Sequence, residues 1–255
     1  MRIRCRPVHA LIVALAATAC MDSDTVYPGP SPFASPANAA QGFLGYAGGT
    51  DTPRPICGNC HVGIAAEWQG TKHASAWSAL ATGDSATANC EGCHTVGARG
   101  NAVVDTLVAW RATQDPRYHD VQCESCHGPG LDHVTNTDAS QPFASIAVGL
   151  ALTNGCGECH RGTHQPFVEE WEQSRHAARE LPAQTTPACE RCHEGRGVLR
   201  SWGIITDYVE ENQADPVPIT CPICHDPHDR QFEGQLRFPV DTTDLSLNLC
   251  MHCHP

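Results

Sequence analysis

Seven stretches of the chain carry the pattern Cys-x-x-Cys-His: Cys57, Cys60 and His61; Cys90, Cys93 and His94; Cys123, Cys126 and His127; Cys156, Cys159 and His160; Cys189, Cys192 and His193; Cys221, Cys224 and His225; and Cys250, Cys253 and His254. Together they use fourteen of the sixteen cysteines. Two thiols three residues apart, followed directly by an imidazole, form the pattern of covalent c-type haem attachment. The thiols become thioethers to the porphyrin vinyl groups and the histidine supplies a nitrogen to iron. Structural zinc would use paired Cys-x-x-Cys half-sites, with no reason for a histidine after every second cysteine. A disulfide framework does not require that histidine either, and thioredoxin-like chemistry gives no reason for such repetition. The sequence therefore predicts seven covalently bound haem c groups, one for each motif.

An iron held by one histidine has a sixth position to fill. Outside the motifs and beyond Cys20 the chain offers His73, His119, His133, His164, His176, His228 and His252, seven candidates for seven irons. The pattern from His61 to Leu80 predicts a helix, on which His73 would lie about 18 Å along the axis from His61. The backbones of two histidines on one iron are only about 13 Å apart. His73 is thus expected to ligate a haem other than that of His61. His228 follows His225 by three residues, reaches no farther than about 11 Å even when extended, and should likewise cross to a neighbouring iron. His133, in CESCHGPGLDH, and His176 join this set, with His119 and His164 as further candidates. His252 and Met251 lie inside the last motif, where thioether geometry restricts both. The competing assignment for each histidine is a surface residue or a propionate partner.

Arg2, Arg4 and Arg6 precede an apolar run from Val8 to Ala19, which predicts a secretory signal over residues 1–19 that removes Cys5. Leu-Ala-Ala-Thr-Ala-Cys, ending at Cys20, resembles a bacterial lipobox, although Ala17 stands where leucine is usual. Cys20 is then either lipidated or, after ordinary cleavage, a free thiol. Residues 20–55, rich in Pro, Gly, Ser and Ala, read as a lipid-anchor segment and extended tether, the alternative being an ordered arm wrapped on the body. Either way the chain is expected to be exported, to the periplasm, outer membrane or cell surface.

The remaining stretch leaves about thirty residues per haem, so much of the buried apolar surface would be porphyrin. The expected fold is mainly α with long loops and little β, organised around haem; 19 Pro and 22 Gly fit that. EWQGTKHASA at Glu67–Ala76 returns as EWEQSRHAAR at Glu170–Arg179, with a second helix expected from Pro166 to Arg179. This repeat predicts a duplicated module: a trihaem module over residues 56–145 and a tetrahaem module over 146–255, with a seam near Ser140–Asn154. Trp68 and Trp171 precede His73 and His176 by five residues and could either stack on porphyrin or pack in a helix core.

CGNCH with EWQGTKH, VQCESCHGPGLDH, and ITCPICHDPHD with LCMHCH resemble the multihaem cytochromes of the cytochrome c-554 type. These are related in haem arrangement to hydroxylamine oxidoreductase and the pentahaem nitrite reductases. The resemblance covers most of Ile56 to Pro255. It implies low-spin haems in stacked parallel and perpendicular pairs, mostly with bis-histidine ligation, acting in electron transfer. The chain departs from that family in carrying more than its four haems, and it lacks a Cys-x-x-Cys-Lys site and an assignable tyrosine crosslink, so no catalytic chemistry carries over.

Without Arg2, Arg4 and Arg6 the 16 Lys and Arg fall to 13 against 28 acids, which disfavours nucleic acid. It suits redox partner proteins with a basic docking patch, either cytochromes or quinol-linked oxidoreductases. The expected function is electron relay through a chain of mostly bis-histidine haems. The alternatives are an oxidoreductase acting on a small nitrogen or sulfur compound at a five-coordinate haem, and a subunit of a conductive cytochrome filament.

Overall fold

The structure is a computed structural model that describes residues 40–47, 54–81, 88–101, 103–137, 155–177, 186–204 and 217–254. The predicted signal, Cys20 and the seam near 140–154 lie outside them. All of the described residues belong to one compact unit.

Ten short helices are present among the described residues: α1 (Val62–Trp68), α2 (Ala76–Ala81), α3 (Ala88–His94), α4 (Ala109–Thr113), α5 (Glu124–His127), α6 (Leu131–Thr135), α7 (Phe167–Glu172), α8 (Pro187–His193), α9 (Gly195–Ser201) and α10 (Cys221–Cys224). None exceeds seven residues, well below the ~12–15 at which an isolated helix becomes marginally stable. Tertiary contact, not propensity, must hold them. Extended pairing among the described residues is confined to isolated bridges, such as Thr95 with His119 and His225 with Leu236. The fold is mainly helical with long loops, as expected. No described helix is long and apolar enough to cross a membrane.

The continuous helices expected over 61–80 and 166–179 are both broken. After α1 the Gly70 and Thr71 amides bond back three residues, to Glu67 and Trp68. This tightening ends the helix, and His73–Ser75 starts afresh as a 3₁₀ turn. In the second half the Ser174 hydroxyl donates to the Trp171 carbonyl at 2.7 Å, so a side chain takes up an end carbonyl that a continuing helix would need. Arg175–Ala177 is again a 3₁₀ turn. His73 and His176 therefore sit in equivalent short turns, free of the helix axes that precede them.

The two tryptophans do equivalent work. Trp68 Nε1 donates to the Val121 carbonyl at 3.1 Å and Trp171 Nε1 to the Ile219 carbonyl at 2.8 Å. Each acceptor lies two residues before a Cys-x-x-Cys-His motif, at Cys123 and Cys221. The indoles thus staple the helix after one motif to the entry of another.

Apolar burial is limited and local. One cluster joins Phe43, Val96, Val108, Ala109, Trp110 and Tyr118, and a second joins Val198, Leu199 and Ile223. Phe43 and Leu44 are fully buried. The tether reading of residues 20–55 is therefore corrected at its C-terminal end: residues 40–47 are an ordered arm built into the larger cluster. The Tyr118 hydroxyl donates to the Phe43 carbonyl, and the Glu124 carboxylate accepts the Leu44 and Gly45 amides. Composition masked this, because three aromatic and aliphatic side chains are diluted among Gly and Ala.

Candidate cofactor site

Each motif folds as a single helical turn. The histidine amide bonds to the carbonyl of the first cysteine at His61, His127, His160, His225 and His254 over 2.8–3.0 Å, while His94 and His193 close α3 and α8. A helical turn puts residues three and four apart on one face. The two sulfurs and the imidazole of a motif therefore face the same way, as attachment to one macrocycle requires. All fourteen motif cysteines are free of disulfides. Among the described residues no group of three or more His, Cys, Asp or Glu side chains converges as a bound metal ion would need.

Four motif histidines face a second histidine. Ring centroids are 6.4 Å apart for His61 and His133, 6.0 Å for His73 and His160, 6.0 Å for His127 and His228, and 6.2 Å for His176 and His254. Two imidazoles trans on one metal, each with its nitrogen about 2.0 Å from the ion and its centroid about 1.1 Å farther, stand about 6.2 Å apart. Direct ring stacking would bring them closer, as in the 4.0 Å pair of Trp77 and His119. The observed gaps thus fit an iron between the rings. In each pair the partner comes from elsewhere in the sequence. His73, which follows motif 1, faces motif 4, and His228, which follows motif 6, faces motif 3. His73 is held neutral, its pKa pushed down to about 4 by burial and then by its neighbour His160, and a neutral imidazole keeps the lone pair that ligation needs.

Second partners orient several of these rings. His94 Nδ1 lies 2.7 Å from the Ala76 carbonyl and His225 Nδ1 2.7 Å from that of Gly234. Each carbonyl fixes the proton on Nδ1 and leaves Nε2 for a metal. His228 Nδ1 is 3.4 Å from Asp226 Oδ1, and Arg237 Nη1 is 2.7 Å from Oδ2. Burial opposes ionisation of Asp226, but the His228 hydrogen bonds and the Arg237 charge overcome it and hold the carboxyl at about 2. A carboxylate behind an imidazole makes it a stronger donor and favours the more oxidised metal. Asp226→Asn should therefore raise one haem midpoint potential, by about 60 mV if the carboxylate gives a tenfold preference for the ferric state. Spectroelectrochemical titration would show it, and an unchanged set of potentials would refute this role.

Residues 56–128 match the protein family described as "Cytochrome c554 and c-prime". That match links the chain to the multihaem c-type cytochromes. Two solved structures are similar. The undecaheme cytochrome from the S-layer of Carboxydothermus ferrireducens is 20% identical with a TM-score of 0.49, the alignment covering 83% of this chain and 43% of that one. The outer cell wall cytochrome OcwA is 16% identical with a TM-score of 0.39, over 65% of this chain and 43% of that one. The chain thus spans less than half the length of either. No curated protein matches it.

The other candidate histidines are placed differently. His119 is stacked on Trp77 and lies 4.8 Å from Trp110. Its backbone bridges to Thr95, which sets it within roughly 9 Å of the backbone of His94, too close for the two to hold one iron. It lines a cavity of about 360 Å³ with Tyr46, Trp77 and Asp120, and its Nε2 is buried without a hydrogen-bond partner. Beside it Asp120 accepts the Trp77 amide at 2.8 Å and the Tyr46 hydroxyl at 2.9 Å. Burial pushes the Asp120 carboxyl up and the His119 imidazole down, which favours the neutral form of both. His164 is exposed in the loop before α7. His252 packs 4.2 Å from Phe238 and 5.4 Å from Trp202, with Nε2 buried and unpartnered.

Two supporting residues escaped sequence reasoning. Glu124 occupies a variable position of a motif, where nothing in the spacing distinguishes it. Asp226 did have a signal: it stands directly after His225 and two residues before His228, close enough to bond a ligand's far nitrogen.

Proposed function

We propose that this chain is an exported heptahaem c-type cytochrome that relays single electrons between redox partner proteins. The four histidine pairs at 6.0–6.4 Å carry the reading. When bound, each haem supplies a one-electron ferric/ferrous couple. The chain's residues hold it: the two cysteines and the histidine of each motif attach it, and His133, His73, His228 and His176 close the sixth positions at motifs 1, 4, 3 and 7. Imidazole on both faces, with no methionine, favours low potentials. The excess of acids favours docking by a basic patch on the partner. Exposed Val62 and Phe167, each close to a motif histidine, are apolar surface that a porphyrin would cover. The equivalent staples of Trp68 and Trp171 support a duplicated module, motifs 1 to 3 matching 4 to 6.

Matured protein should carry seven haem increments in intact mass that survive acid extraction. Reduced protein should pass electrons quickly to artificial acceptors and show negligible turnover with nitrite, hydroxylamine or sulfite. The alternative is an oxidoreductase acting on a small nitrogen or sulfur compound at a five-coordinate haem. Sustained turnover that vanishes in His119→Ala or His164→Ala, with all haems retained, would decide for it. Lipidation is tested separately: Cys20→Ser should move the protein out of the membrane fraction, and unchanged partitioning rejects the anchor.

A further inference from the structure

Arg99 comes shortly after motif 2 in the sequence and lies back across it. Its Nη1 stands 3.7 Å from Cys93 Sγ. Its stem crosses the motif at Gly92, where a Cβ would meet Arg99 Nε at 2.8 Å and Cδ at 3.2 Å. Glycine at that variable position of the motif leaves the room the side chain needs. At its tip Nη1 also donates to the Glu158 carbonyl at 3.1 Å.

A charge on a long exposed side chain usually counts for little, because the chain moves and solvent screens it. Arg99 is exposed, but its root is fixed. Gly100 has φ +83°, a Cβ there would stand 2.5 Å from the Ser125 carbonyl, and its amide donates to the Glu158 carboxylate. Asn101 is 0% exposed, and its Nδ2 donates to the Gly97 carbonyl at 2.8 Å and the Glu124 carbonyl at 3.0 Å. The backbone that carries Arg99 is therefore pinned, and Gly92 and the Glu158 carbonyl guide the side chain. A carbonyl at the tip leaves the guanidinium its full charge. Arg161, which shares a cavity of about 330 Å³ with Arg99, is instead paired with the Glu172 carboxylate at 2.8 Å.

We propose that Arg99 sets the potential of the haem that motif 2 attaches, as a fixed cation beside the Cys93 attachment point. The inference rests on the haem reading above and names a residue that tunes one of those haems. Arginine stays charged at any working pH. A ferric haem carries one more positive charge than a ferrous one, so a cation at its edge disfavours the ferric form and raises the midpoint potential. The sign is opposite to that expected of Asp226 behind His228. Two side chains thus hold two haems at unequal potentials, and the haem of motif 2 is the better electron acceptor for having Arg99 beside it.

Peptide mass mapping of the wild-type protein comes first: a peptide spanning Cys90 to His94 without haem overturns the haem reading itself. Spectroelectrochemical titration of haem-loaded Arg99→Gln and Arg99→Lys then tests Arg99. Glutamine keeps a donor for the Glu158 carbonyl and loses the charge, lysine keeps the charge, and both leave the Glu158 carboxylate in place. Arg99→Gln should lower one midpoint potential, cutting the ferrous-to-ferric ratio at a fixed applied potential at least threefold, or about 28 mV at ~59 mV per tenfold. Arg99→Lys should move it by less than half as much. The potential that moves should be the one absent from a variant lacking both motif 2 cysteines. Unmoved potentials in Arg99→Gln, a lysine shift of half or more, or a shift in the haem of another motif overturns the proposal. So does loss of haem from either variant, because Arg99 is then a brace for assembly.

Discussion

Replacing Glu124 by Ala should cost the haem-loaded protein at least ~3 kcal/mol of stability, since each of three buried amides left without an acceptor costs about 1–3 kcal/mol. Glu124 is 3% exposed. Its carboxylate accepts the Leu44 amide at 2.9 Å, the Gly45 amide at 2.8 Å and the Gly130 amide at 2.8 Å. Burial pushes the carboxyl pKa up, while those three amides draw it back down. The residue thus ties the arm at 40–47 to the turn after motif 3, and alanine would both orphan the donors and release the arm. Urea unfolding followed by tryptophan fluorescence checks this. A loss under about 1 kcal/mol would mean that water replaces the carboxylate and that the arm is held by Phe43 and Tyr118 instead.

Replacing His73 by Ala should convert one haem to high spin with every thioether intact, and the haem changed should be that of motif 4, not that of the motif 1 segment in which His73 lies. The ring pair His73 and His160 at 6.0 Å sets this expectation. His133→Ala should do the same at motif 1, His228→Ala at motif 3 and His176→Ala at motif 7. Loss of the sixth ligand opens the iron without touching the sulfurs, so mass stays constant while the electron paramagnetic resonance spectrum gains one high-spin signal. The site can be identified by combining each variant with loss of one motif. If His73→Ala stays fully low spin, the histidine is no ligand. If the signal belongs to motif 1, the crossed arrangement is wrong.

Part of the site is legible in the order of residues. Cysteines at i and i+3 with histidine at i+4 are a local signal, and one helical turn suffices to put them on one face. The same holds for the equivalence of EWQGTKH and EWEQSRH, because a repeated segment repeats its local geometry. The departure of His228 from its own motif also follows from chain reach alone, whereas that of His73 was expected from a continuous helix that in the fold ends at Trp68. Where residue order misleads, longer-range terms are the cause. The helix over 61–80 reads as continuous because its periodicity survives across Gly70, but an end-turn tightening costs little where tertiary contacts hold both halves.

The chemistry of attachment, the mainly helical character with little sheet, and the set of histidines able to cross are written in the amino-acid order. Each is set by residue types within a few positions or by a bound on reach. Four outcomes needed the folded chain: which histidine meets which motif, the membership of residues 40–47 in the core, the packing of His119 between tryptophans with its backbone bridged to Thr95, and the bonding of Arg99, which follows motif 2, to Glu158 inside motif 4. They hang on contacts such as Glu124 with Leu44, 80 positions apart in the chain, and Arg99 with Glu158, 59 apart. No periodicity encodes such pairs, because they form only when the loops that carry them have closed.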